Sequence, residues 1–80
     1  MPTILQRNFA FVLKELRLKN HFTQEGLAAQ TELHVTYISQ LERGLKSPTL
    51  ETLQKLSVAL EVSMAEFLLL VELRSRQKSN

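Results

Sequence analysis

The chain of 80 residues contains no cysteine and no tryptophan, and it has only two glycines and two prolines. Without cysteine, disulfide bonds, thiolate zinc sites and thiol nucleophiles are all excluded. A chain of this length buries only about 60% of the surface that its unfolded form exposes. Its stability must therefore come from efficient packing of the hydrophobic residues, which make up 44% of the sequence.

Long apolar runs and clusters of reactive side chains are missing as well. No apolar run exceeds the five residues of Phe67 to Val71, whereas a membrane-spanning helix needs about 20. The N-terminus does not have the order of a secretory signal, so we expect a cytoplasmic protein. The two histidines, His21 and His34, have no metal-ligand spacing and no cysteine or aspartate around them. We therefore expect no enzyme, no metal and no cofactor.

The excess of basic charge is small and lies at one end of the chain. The formal net charge is +2, with ten basic and eight acidic residues. Three of the basic residues, Arg74, Arg76 and Lys78, lie among the last seven residues, which leaves seven basic residues elsewhere (10 − 3). Bulk charge is therefore weak evidence for a nucleic-acid partner, and the local placement of residues has to decide.

Apolar residues recur at helical spacing in five segments, and no segment alternates for long enough to make a strand. The segments run from Ile4 to near Asn20, from a Thr23 N-cap to about Gln30, from Val35 to Gly44, from Pro48 and Thr49 to about Leu60, and from a capping box of Ser63 and Glu66 to about Leu73. They predict an all-α, compact five-helix bundle over residues 1–73. Residues 74–80 are polar and basic without an apolar anchor, which predicts a flexible tail.

The turn between the second and third helices is only three or four residues long. Two short helices joined so tightly must cross steeply, which is the geometry of a helix-turn-helix. In that motif one helix bridges the DNA backbone while the next lies in the major groove. Short helices with short turns also occur in any small bundle, so topology alone leaves both interpretations open.

Residues 22–44 read FTQEGLAAQTELHVTYISQLERG and resemble the helix-turn-helix of the Cro and phage-repressor family. The shared residues are Thr23, Gln24, Glu25, Leu27, Ala28, Ile38, Ser39, Glu42 and Gly44. The resemblance continues through Ser47–Leu53 and into Ala59, Leu60, Val62 and Ser63. It implies a five-helix fold of the phage-repressor DNA-binding type, with the third helix as the recognition helix.

The same residues support this assignment on physical grounds. Ile38 and Leu41 must face the core, so the opposite edge of the third helix faces solvent. We predict that this edge reads bases through Val35, Thr36, Ser39 and Gln40. Glutamine can pair with an adenine edge through two hydrogen bonds, and threonine and valine can contact a thymine methyl group.

Candidate phosphate contacts surround this edge in the sequence and would hold the protein in register without reading bases. We predict them at Gln24, Tyr37, Arg43, Lys46 and Ser47. Gln24 lies in the first turn of the second helix, where free N–H groups favour an anion. Two alternatives stay open: the Tyr37 ring is partly packed, and the residues from Arg43 to Ser47 form only a solvated basic loop.

The family resemblance also implies an ion pair between Arg17 and Glu42 that fixes the angle of the recognition helix. The chain departs from the family pattern at the turn, where Glu32 replaces a frequent glycine or asparagine and His34 replaces a serine or aspartate cap. His21 likewise replaces a usual glycine after the first helix. We therefore expect a slightly strained turn and an exposed His34.

The fifth helix has more apolar residues than one buried face needs. A stripe of Met64, Phe67, Leu68 and Val71 is enough to cover the bundle, which leaves Leu69, Leu70 and Leu73. Burying each of these leucines against a partner is worth roughly 1.5 to 3 kcal/mol. They predict a homodimer that places two recognition helices on a palindromic operator, although another protein or a missing domain is an alternative occupant.

Together these features indicate a sequence-specific transcriptional regulator that binds double-stranded DNA, with no membrane and no small-molecule effector. The run from Thr36 to Ser39, the short length and the absence of an effector domain look like the controller proteins of restriction-modification systems. Small prophage repressors look similar. The alternative function is an antitoxin or another protein-interaction module that autoregulates its own operon.

Overall fold

The structure is a computed structural model that describes the backbone of residues 1–78 and the side chains of residues 1–76. Five helices follow one another along the chain: α1 (Ile4–Lys19), α2 (Gln24–Thr31), α3 (Val35–Glu42), α4 (Leu50–Ala59) and α5 (Met64–Lys78). Residues 1–78 contain no strand, and none of their helices is both long and apolar enough to cross a membrane. The all-α, five-helix prediction is confirmed.

Hydroxyl side chains determine where most of these helices begin. The N-cap residues with a side-chain bond to the helix backbone are Thr3, Thr23, Thr49 and Ser63. At α5 the predicted capping box is present, with Glu66 N donating to Ser63 Oγ at 2.9 Å and Ser63 N donating to Glu66 Oε1 at 3.1 Å. Only α3 begins without such a bond, because its N-cap His34 is exposed and makes no capping hydrogen bond.

Three interhelical turns depend on a left-handed residue that is not glycine. His21, Glu32 and Glu61 have φ angles of 63°, 60° and 59°. For residues with a Cβ this conformation costs roughly 1 to 2 kcal/mol each. The strain predicted at Glu32 is therefore present, and it is offset by the packing of the helices that the turns join.

The core lies where α1 packs against α3 and α5, with α2 and α4 closing the sides. Its large side chains are Phe9, Val12, Leu13, Leu16, Leu27, Ile38, Leu41, Leu53, Leu56, Leu60, Phe67 and Val71. The rings of Phe9 and Phe67 stack with their centroids 4.9 Å apart. This contact joins the first and last helices directly.

Leu68 corrects one part of the sequence interpretation. The apolar spacing places it in the inward stripe of α5, but it is 44% exposed. Phe67 and Val71 already fill the space against α1, and Leu68 lies about 100° around the helix from Phe67. The buried stripe is therefore narrower than predicted, and Leu68 adds to the exposed leucines of α5.

The end of α5 corrects another prediction. The helix continues to Lys78 instead of ending near Leu73, because polar contacts hold its last turns. Asn8 Nδ2 donates to Ser75 Oγ at 2.6 Å, and the Arg74 guanidinium lies 3.3 Å from the centre of the Phe11 ring. Residues 79 and 80 of the predicted tail lie outside the described residues, and the flexibility of the tail stays a prediction.

Replacing Ser75 with alanine tests whether these contacts hold the end of α5. Asn8 is fully buried, so losing the acceptor leaves its amide group without that partner in the interior. We expect the free energy of unfolding to fall by about 1 to 3 kcal/mol, measured by urea denaturation. The control Glu72→Ala, on the exposed face of the same helix, should change it by less than about 0.5 kcal/mol. Equal effects of the two substitutions would contradict the assignment.

Candidate nucleic-acid interface

Helices α2 and α3 are joined by residues 32–34, a turn of three residues. Glu32 reverses the chain in the left-handed conformation, and Leu33 N donates to Ala28 O at 3.1 Å. Gly26 sits in a tight place on α2, because a Cβ there would lie 3.1 Å from Thr23 Oγ1 and 3.6 Å from Phe22 Cδ1. The turn geometry at Glu32 and Leu33 therefore sets how α3 follows α2, while the close packing at Gly26 holds the start of α2 against the residues before it.

The outer edge of α3 carries the four residues predicted to read bases. Val35 and Thr36 are exposed, and Ser39 and Gln40 are half-buried. The inner edge is closed, since Ile38 and Leu41 have no exposed surface. The structure thus brings Val35, Thr36, Ser39 and Gln40 to one side of a single helix, while their contact with DNA stays a prediction.

A buried ion pair fixes α3 to α1. Arg17 Nε donates to Glu42 Oε2 at 2.5 Å, and Arg17 Nη2 donates to Glu42 Oε1 at 3.1 Å. The third nitrogen, Nη1, donates to Phe22 O at 2.8 Å. The two side chains are only 9% and 4% exposed. Because both charges are out of water and hold each other through two hydrogen bonds, the pair defines one position of α3 relative to α1.

Gln24 makes a contact that the sequence did not predict. Its Nε2 donates to Glu42 Oε1 at 3.0 Å, so the side chain supports the buried carboxylate, while its predicted contact with a phosphate stays a prediction. Its backbone N–H, in the first turn of α2, remains a group that can meet a phosphate. No spacing in the sequence signals this contact, because Gln24 and Glu42 lie 18 positions apart.

The other residues predicted to contact phosphates differ in their exposure and in their contacts within the protein. Tyr37 is half-buried and packs against the core, which favours the partly packed alternative for its ring. Arg43 and Lys46 are exposed. Ser47 is exposed too, but its Oγ accepts a hydrogen bond from Gln6 Nε2 at 3.0 Å. Sequence reasoning missed Gln6, because the two residues lie 41 positions apart.

The leucines predicted to form a dimer interface lie on α5. Leu69, Leu70 and Leu73 are 52%, 39% and 40% exposed. The helix itself packs on α1 and α4. The leucine face and the outer edge of α3 therefore lie on two different helices, each of which packs against α1.

A bundle in which two short helices meet at a tight turn, with the second helix exposing a polar edge, has the architecture of helix-turn-helix DNA-binding regulators. The sequence profile described as helix-turn-helix matches residues 13–67, which is more than half of the chain. The chain belongs to this family, whose members are of the Cro and phage-repressor type.

Known controller proteins are among its relatives. The chain is 39% identical over 61 residues to control protein C.BamHI from Bacillus amyloliquefaciens, which covers 75% of each protein. A solved structure of a variant of the restriction-modification controller protein C.Esp1396I is similar over 100% of both chains, with 32% identity and a TM-score of 0.86. Another is the tetramer of C.Esp1396I in complex with its natural 35 base-pair operator, with 36% identity, coverage of 86% and 91%, and a TM-score of 0.78. The predicted resemblance is confirmed.

Replacing Glu42 with leucine should leave the buried guanidinium of Arg17 without its carboxylate. We expect the free energy of unfolding to fall by about 3 to 5 kcal/mol in urea denaturation, because an uncompensated charge is then buried. The matched control is the double variant Arg17→Leu/Glu42→Leu, which removes both charges and should recover much of this loss. If the double variant loses as much free energy of unfolding as Arg17→Leu and Glu42→Leu lose when added together, the two side chains are not a coupled, buried pair.

Proposed function

We propose that this chain is a transcriptional regulator that binds a palindromic operator as a homodimer, with α3 in the major groove. The observation that carries the proposal is the outer edge of α3. Val35 and Thr36 on this edge are exposed and Ser39 and Gln40 are half-buried, and the buried Arg17–Glu42 pair holds α3 at a fixed angle.

The dimensions and chemistry of this edge suit a major groove. An α-helix with its side chains is about 10 to 12 Å across, and the major groove is about 12 Å wide. Gln40 offers an amide that can pair with an adenine edge through two hydrogen bonds. Thr36 and Ser39 offer hydroxyl groups, and Val35 offers a methyl surface for thymine.

The segment after α3 supplies groups for phosphates. Arg43 and Lys46 extend into solvent on either side of Gly44, and Ser47 follows directly. Each phosphate neutralised by a basic side chain releases a condensed counterion. The logarithm of the affinity therefore falls with the logarithm of the salt concentration, with a slope of about −0.9 per contact. These contacts fix the position of α3 on the duplex and do not choose the sequence.

A second copy of the chain would cover the leucines of α5. Leu68, Leu69, Leu70 and Leu73 form an exposed apolar face that a self-complementary contact buries on both subunits. Two recognition helices about 34 Å apart then reach half-sites one helical turn apart. The operator-bound oligomer of C.Esp1396I is consistent with such an arrangement.

The likeness to C.BamHI and C.Esp1396I leads us to propose a controller of restriction-modification genes. In this function the concentration of the chain determines the fraction that is dimeric, and the concentration of dimer determines how much of the operator is occupied. No ligand is needed for such control.

Selection of bound oligonucleotides from a random pool would give the operator, and failure to enrich any palindromic sequence would contradict the proposal.

Replacing Gln40 with alanine should relax the preference for one base pair in each half-site. We expect a loss of about 1 to 3 kcal/mol on the preferred sequence and little loss on a duplex changed at that position. Fluorescence anisotropy with duplexes that carry each single base change measures this difference. An unchanged base preference would show that Gln40 does not read sequence.

The matched control is Arg43→Ala, at the exposed end of the same helix. It should weaken binding to all DNA sequences alike. It should also reduce the salt dependence of the affinity by the amount that one phosphate contact contributes. A loss confined to one base pair would show that Arg43 reads bases instead.

Replacing Leu70 with alanine should weaken the dimer. In a two-fold dimer the substitution is present in both subunits. A loss of roughly 1.5 kcal/mol of binding free energy per subunit therefore raises the dimer dissociation constant about 100-fold. Sedimentation equilibrium measures this constant. The control Val58→Ala removes an exposed apolar side chain from a groove beside Phe22 and Thr31, and it should leave the constant unchanged. Equal effects of both variants would place the interface elsewhere.

A further inference from the structure

Gln6, in the first turn of α1, uses both ends of its amide. Its Oε1 accepts from Thr3 N at 2.8 Å and completes the capping box of α1. Its Nε2 donates to Ser47 Oγ at 3.0 Å, across 41 residues of sequence. One half-buried side chain therefore joins the start of α1 to the loop that follows the recognition helix.

The backbone of this loop also lies directly on α1. Gly44 is buried, with φ at +74°, and a Cβ there would lie 3.5 Å from Pro2 Cβ and 3.7 Å from Gln6 O. Glycine allows both the left-handed turn and the close approach. The contact between Gln6 and Ser47 is thus the side-chain part of a longer seam between the loop and the first turn of α1.

The chemistry of the amide determines the role of the Ser47 hydroxyl. The Thr3 N–H can only donate, so the oxygen of the Gln6 amide must face it, and the NH₂ group must face Ser47. An amide NH₂ group can only donate in turn, so Ser47 Oγ accepts and its own hydrogen points elsewhere. Ser47 is exposed, which leaves that hydrogen free to donate to a group outside the protein. Accepting one hydrogen bond also makes a hydroxyl a stronger donor.

We propose that Gln6 is a positioning residue for DNA binding, which holds the Ser47 hydroxyl as a hydrogen-bond donor to a backbone phosphate. This inference rests on the proposed function, in which the loop after α3 meets the DNA backbone. Arg17 holds α3 from a position 11 residues further along the same helix, about 16 Å away. Helix α1 thereby positions both the base-reading helix and the Ser47 hydroxyl that donates to a phosphate.

A double-mutant cycle on DNA affinity tests the inference. The variants are Gln6→Ala, Ser47→Ala and the double variant, measured by fluorescence anisotropy on the operator selected with the wild-type chain and on an unrelated duplex. Each single variant should bind both duplexes about three- to tenfold more weakly. The double variant should bind no more weakly than Ser47→Ala alone, because Gln6 acts only through that hydroxyl.

Thr3→Ala is the control for the capping role of Gln6. It removes the bond from Gln6 N to Thr3 Oγ1 and leaves the bond to Ser47. It should lower the thermal midpoint of unfolding, as Gln6→Ala does, while DNA affinity stays within about twofold of wild type. A loss of affinity equal to that of Gln6→Ala would show that only the stability of α1 matters.

Other outcomes separate this inference from the proposed function. If Gln6→Ala weakens binding equally with and without the Ser47 hydroxyl, or if either single variant has no effect, the positioning role is overturned while specific DNA binding stands. If the wild-type chain selects no duplex from a random pool, the regulator function fails, and the inference fails with it.

Discussion

The buried contact between Arg17 and Glu42 is the constraint on which the exposed edge of α3 depends. Both charges are removed from water, so any movement of α3 that separates them leaves an unpaired charge in the interior, which costs several kcal/mol. The Phe22 carbonyl and the Gln24 amide add hydrogen bonds to the same pair. The angle of the recognition helix is therefore set by electrostatics that tolerate one geometry, in addition to the apolar packing of Ile38 and Leu41.

Helix α1 extends this constraint to the rest of the molecule. Its inner face supplies the core around Phe9, and its last turns carry Arg17. Its first turn seats the loop at Gly44, and Asn8 holds the end of α5. The groups proposed to meet DNA and the face proposed to meet a second copy are all positioned from this one helix. A small bundle can in this way keep two separate surfaces in fixed relation without a large core.

The sequence predicts the features that arise from local rules. Among polar contacts over long separations, only the Arg17–Glu42 pair was expected, because the family resemblance implies it. Hydroxyl caps and apolar spacing of three and four located all five helices, and the inward direction of Ile38 was enough to identify the outer edge of α3. The bonds from Gln6 to Ser47 and from Asn8 to Ser75 span 41 and 67 residues. A glutamine or asparagine on a helix leaves no periodic signal that distinguishes such a partner from solvent. Leu68 was misassigned because consecutive leucines do not show which of them faces inward.

The end of α5 shows why one of these missed contacts matters for function. Leu69 and Leu73 lie four residues apart, and Leu70 and Leu73 lie three apart, so the three form one ridge only while the helix continues through Leu73. A helix that ended there would leave Leu73 at a frayed terminus. The contacts of Arg74 with Phe11 and of Ser75 with Asn8 keep that turn helical. Contacts of Asn8 and Phe11 in the first half of α1 thus hold the leucine ridge, and the Arg17–Glu42 pair in its last turns holds the recognition helix. In a two-fold dimer the ridge and the recognition helix together would determine the spacing of the half-sites.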